Sequence, residues 1–161
     1  MVEEKCSDLE KLKIVYEGFK DKYNLPEFSQ LNSVFDLEDV DLESDCFLRK
    51  VRRAVSEKIV GHLRFIETIL NPSNAPMFFF RLLKNVEQED KEFLNRQLDE
   101  LSIFEIELIK LDLEYDELKE AEFIKKSYIW FFESKERFSK FLDKLMKHHK
   151  SSENNSKSYL G

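Results

Sequence analysis

Apolar residues recur along this chain at intervals of three and four rather than two, the spacing of helices that bury one face. Ser7 and Glu10 stand at capping-box distance, and Leu9, Leu12, Val15, Tyr16, Phe19 and Tyr23 follow at helical steps. A first helix is therefore expected over 8–23, stopped near Asn24 and Pro26. The acidic connector 24–44 carries scattered Phe28, Leu31, Phe35, Leu37 and Val40, which predict a short helix near 26–33 and then an extended stretch. A second helix is expected over 45–70, with Phe47, Leu48, Val51, Val55, Ile59, Phe65, Ile66, Ile69 and Leu70 in one broad stripe and Pro72 as its stop.

The run Phe78, Phe79, Phe80 follows Pro76, which suits the first turn of a helix over 76–84. Three successive residues spread over some 200° of a helix's circumference, so no single flat contact buries all three rings. The next helix, over 88–115, carries two apolar arcs. One holds Phe93, Leu101, Phe104, Leu108, Leu111 and Tyr115; the other holds Leu98, Ile103, Ile106, Ile109 and Leu113. This pattern predicts a helix buried on two sides at the centre of a bundle. A last helix, over 117–148, faces inward through Phe123, Ile124, Phe131, Phe138, Phe141, Leu142 and Leu145, while Ile129 and Trp130 fall outside that stripe. Residues 149–161 lack apolar periodicity and read as a disordered tail. The expectation is an all-α, single-domain bundle of about five helices over residues 1–148.

Composition sharpens this reading. Three glycines and three prolines in 161 residues leave little material for tight hairpin turns or a phosphate-cradling loop. Two cysteines, Cys6 and Cys46, and no leader pattern point to a reducing, cytoplasmic setting. The longest apolar runs fall well short of the ~20 residues that cross a bilayer, so no membrane association is expected. The net charge of −7 is distributed in blocks of alternating sign: −8 over 1–45, +6 over 46–86, −10 over 87–122 and +5 over 123–161. Neighbouring blocks laid side by side would pair acidic with basic helices.

Candidate chemistry is sparse. No Gly-rich phosphate loop, nucleophile elbow, zinc-protease motif or paired CxxC occurs, so neither an enzyme class nor a cofactor is indicated. Asp36, Glu38, Asp39 and Asp41 lack the glycine and terminal glutamate of a calcium loop. His62, Glu105 and Asp112 are expected to point inward, with Arg52, Lys58 or His62 as partners for the two carboxylates. A structural ion pair is the ordinary role for such groups, and an unrecognised enzyme or metal protein the third-ranked reading. Arg49, Lys50, Arg53 and Arg64 form a basic face that supports nucleic-acid association as the second-ranked function. The first-ranked function is non-catalytic protein–protein interaction, with another protein or by self-association, through an aromatic patch drawn from Phe78, Phe79, Phe80, Ile129 and Trp130.

Overall fold

The computed structural model describes residues 2–40, 45–84 and 86–157, and side chains within 8–147 other than those of Asn74, Phe78 and Arg81. These residues form an all-α bundle: α1 (Val2–Tyr23), α2 (Phe28–Phe35), α3 (Phe47–Leu70), α4 (Met77–Leu83), α5 (Gln88–Leu113) and α6 (Glu117–Lys157), with 3-10 turns at Leu37–Asp39 and Pro72–Asn74. The five helices read from the sequence all form, and the acidic connector adds the sixth, α2. Helix α1 begins at Val2, five residues before Ser7, and no proline or glycine stands in that stretch to break it.

Helix α1 ends where Asn24 takes a left-handed conformation (φ 53°), and α2 ends the same way at Asp36 (φ 51°). Asparagine and aspartate are the non-glycine residues that tolerate this region best. The Leu25 N–H then donates to the Lys20 carbonyl at 3.1 Å, and the Asp36 N–H to that of Asn32 at 3.0 Å, satisfying carbonyls at the two helix ends. The Asn32 side chain accepts the Leu37 N–H at 2.7 Å, which turns the chain into the 3-10 segment and sinks Leu37 into the core. Over 34–39 the connector is thus helix and 3-10 turn rather than the extended stretch expected, Val40 is extended, and 41–44 lie outside the described residues. Asp116 caps α6 by accepting the Lys119 N–H at 3.1 Å.

The chain divides into two compact units: Met1–Val60 with Phe104–Phe132, and Gly61–Ile103 with Glu133–Gly161. In the first, Leu12, Tyr16, Phe28, Leu31, Phe35, Leu48, Val51, Val55, Ile59, Phe104 and Ile124 are buried. Rings lock its elements together: Tyr16 on Phe28 at 5.4 Å, Phe19 on Phe47 at 5.3 Å, and Phe35 on Phe131 at 5.0 Å. The Tyr16 hydroxyl donates to the Pro26 carbonyl at 2.8 Å, and burial, with help from Glu17 and Glu27, pushes its pKa up. The second unit centres on Phe138, whose ring meets His62 at 5.3 Å, Phe65 at 6.0 Å, Phe93 at 6.4 Å and Phe141 at 6.2 Å. Leu63, which sequence periodicity passed over, is buried there, whereas Phe65 is half-buried.

Helix α6 does not end at His148 but continues to Lys157. No proline or glycine interrupts 149–157, and once a helix is nucleated each added residue costs little, so the polar tail propagates it. Residues 149–157 of the tail read as disordered are thus assigned to α6, and 158–161 lie outside the described residues.

Candidate docking surface on the outer side of α5

The inner side of α5 is core: Phe93, Leu94, Leu101, Phe104, Leu108 and Leu111 are all buried. Its other apolar arc is not. Ile103 is 55 % exposed, Ile106 56 %, Ile109 60 % and Leu113 83 %. At 100° per residue, Ile106, Ile109 and Leu113 share about 60° of arc, centred roughly 150° from the buried face. The expectation that α5 is buried on two sides is overturned: the bundle covers one side, and a continuous aliphatic ridge is left in water on the other. Scattered exposed leucines need no explanation, but large aliphatics in register along one helix do.

What holds α5 in place within its unit is a buried charge cluster. Arg52 and Glu120 are almost completely enclosed, and the Arg52 Nε donates to Glu120 Oε2 at 2.9 Å while its Nη2 donates to Asp112 at 2.6 Å. Arg49 donates from Nε to Glu120 Oε1 at 3.1 Å and from Nη2 to the Leu111 carbonyl at 2.7 Å. Its guanidinium stacks over the Tyr115 ring at 5.1 Å. Two helix-α3 cations thus clamp the end of α5 and the start of α6, and both oxygens of the carboxylate are engaged in doing so. Tyr115 closes the cluster. Burial first, then the negative charge of Glu117, pushes its pKa up to about 12, and its hydroxyl is without a hydrogen-bond partner among the described residues.

The arrangement corrects several sequence expectations. Trp130 is not a surface anchor: it is 8 % exposed, packed edge-on against Phe104 at 6.3 Å and Phe131 at 5.0 Å. Its position just off the main α6 stripe turns it toward α5, an element the wheel of α6 alone does not contain. Ile129 is 49 % exposed and lies on the outer side of α6 with Leu118 and Phe132. Phe80 is exposed, Phe79 lines a groove described below, and the Phe78 side chain lies outside the described ones. Arg49 leaves the proposed basic face, because Glu120 draws it inward. Lys50 and Arg53 border a groove with Asp36, Asp39, Glu57 and Lys58, so their charge is locally offset, and Arg64 belongs to the other compact unit.

Asp112 does find Arg52, one of the partners expected for it, yet Asp112 itself stays exposed at the rim. Glu105 is exposed rather than inward, and His62 lies in the second unit, half-buried against Phe138. Among the described residues no group of three or more His, Cys, Asp or Glu is placed to hold a metal ion. The buried group the sequence reading missed is Glu120, the second carboxylate on Arg52. A signal existed: Arg52 stands four residues after Leu48 and seven before Ile59, and Glu120 four before Ile124, so each interrupts an apolar stripe with opposite charge.

In the second unit, Phe65, Ile69, Phe79, Leu82, Leu83, Leu142, Leu145 and Met146 line an open groove of about 290 Å³ with no polar lining surface. No helix among the described residues is long and apolar enough to cross a membrane. No family model matches the chain, and no curated protein or solved structure matches it.

Proposed function

We propose that this protein is a non-catalytic, protein-binding helical module, cytoplasmic in setting, that docks its partner on the outer side of α5. One observation carries the reading: a single helix is apolar on two opposite sides, and its own bundle covers only one. Leaving Ile106, Ile109 and Leu113 in water costs solvation free energy of roughly 25 cal/mol per Å² of apolar surface, which a partner covering them recovers. The clamp of Arg49, Arg52 and Glu120 keeps this ridge straight and preorganised, lowering the entropy lost on association. The aromatic run at 78–80 is secondary in this reading, and Trp130 serves the interior.

The test compares the native chain with a variant carrying Ile109→Asp and Leu113→Asp. Both positions are exposed, so the thermal midpoint should move little, by less than about 0.5 kcal/mol of stability per site. Proteins retained by the immobilised native chain should be lost from the variant. An identical capture profile from two equally stable chains would refute the reading.

A further inference from the structure

We infer that the occupant of the α5 ridge is a single amphipathic helix whose apolar stripe is flanked by basic side chains; this rests on the docking reading above. The shape comes first. Ile106, Ile109 and Leu113, all in the first unit, form a straight ridge about 10 Å long at 1.5 Å per residue. The backbone beneath them is hydrogen-bonded within its own helix, so it offers no edge for a strand to pair with. A second helix, presenting anchors at i, i+3 or i+4 and i+7, meshes with such a ridge by the ordinary packing of side-chain rows into grooves.

The charges choose the kind of helix. Helix α5 carries eight acidic and three basic side chains, a net of −5. Glu105 and Asp112 line one flank of the ridge and are exposed; Glu114 and Lys110, also exposed, line the other. Asp112 shares its charge with Arg52, while Glu105 has no ion pair among the described residues. A second copy of this chain is a poor occupant. An antiparallel two-fold pairing of the ridge sets each flank against itself, so the Glu105 and Asp112 row would face its own image. A parallel pairing sets that row against a flank with Glu114 and a single lysine. Lysine and arginine beside the partner's anchors instead meet Glu105 and Asp112 on one flank, and on the other Glu114 with Lys110 opposing them, so the first flank sets the preference. Three aliphatic anchors make a small interface, so the affinity falls in the weak, transient class.

The experiment uses the full chain and three fluorescent peptides of roughly three heptads each, read by anisotropy at low salt. The first has leucine at the a and d positions and lysine at e and g. The second replaces every lysine by glutamate. The third scrambles the first, keeping its charge but destroying the stripe. The inference requires the lysine peptide to bind at least about tenfold more tightly than either of the others, and to weaken as salt rises. Ile109→Asp with Leu113→Asp must abolish that binding at unchanged melting temperature, and Glu105→Lys with Glu114→Lys must reverse the preference between the lysine and glutamate peptides.

Equal binding of the lysine and glutamate peptides, both lost in the aspartate variant, overturns the basic partner and keeps the docking reading. Equal binding of the scrambled peptide, or indifference to the aspartate variant, reduces the effect to bulk charge attraction and overturns the inference. Failure of all three peptides to bind overturns it as well, leaving the docking reading to the capture test. A native dimer that sediments as a monomer only after Ile109→Asp makes a second copy the occupant, which also overturns it.

Discussion

At the scale of single residues, two kinds of deviation from a simple apolar stripe proved to have different meanings. A charge on the stripe, as at Arg52 or Glu120, meant a buried partner on another helix; a large aromatic just off it, as at Trp130, meant a second contact direction. Neither is free energy that can be removed cheaply. Glu120→Gln leaves Arg49 facing a neutral amide and the buried Arg52 with only Asp112 at the rim, and breaking such a buried pair from one side costs up to about 3–5 kcal/mol. Urea denaturation should show that loss as a lowered midpoint with little change in slope. Trp130→Ala opens a cavity between α5 and α6 and should cost about 3–5 kcal/mol in the same measurement, in contrast with the near-neutral aspartate substitutions at Ile109 and Leu113. The identities of these residues were plain in the sequence. Their pairings were not, because the partner of a buried charge depends on which helix lies across from it.

At the scale of elements, helix existence was legible almost everywhere, since three- and four-residue spacing persists through each segment and Pro26, Pro72 and Pro76 punctuate it. Ends were less legible. Helix α1 starts earlier than its apolar pattern, and α6 runs past its own to Lys157, because hydrogen bonding along a helix needs no apolar face once a neighbouring turn exists. The extension beyond Lys147 contributes helix content without the apolar periodicity that packs a core. Truncation after Lys147 should therefore lower the far-ultraviolet helical signal while shifting Tm by no more than about 2 °C. Helix α5 shows the complementary case. Two apolar arcs indicate two contacts, but whether both are internal depends on how many neighbours the fold supplies, and here it supplies one side.

At the scale of the whole molecule, the alternating charge blocks find each other. Arg52 reaches Glu120 and Asp112, Lys58 reaches Asp36, Lys126 reaches Glu107, and Lys144 reaches Glu87 and Asp90, each joining a basic block to an acidic one. Lys22 with Glu117 is a pair between two acidic blocks, and it makes the start of α6 sensitive to acid. The Lys22 ammonium, followed by the Tyr23 hydroxyl, holds the Glu117 carboxyl below its ordinary range. A carboxylate with a lowered folded-state pKa contributes stability above its unfolded value and loses it as pH falls through the folded one. Stability should thus decline on the acid side, below about pH 4.5, and Glu117→Gln should narrow its gap from the native chain as pH drops from about 5 to 3, as read from urea midpoints across pH. A gap constant over that interval would mean that the ion pair contributes nothing.

What the amino-acid sequence determined by itself is periodicity and punctuation, hence helices, their order and the signs of their surfaces, because these depend on neighbours within a few residues. Only the tertiary structure decided that Arg52 faces Glu120, that Trp130 turns inward and that Ile106, Ile109 and Leu113 face out. Those outcomes depend on which helix lies beside which, and a side chain's own helix cannot specify whether its apolar face will be covered.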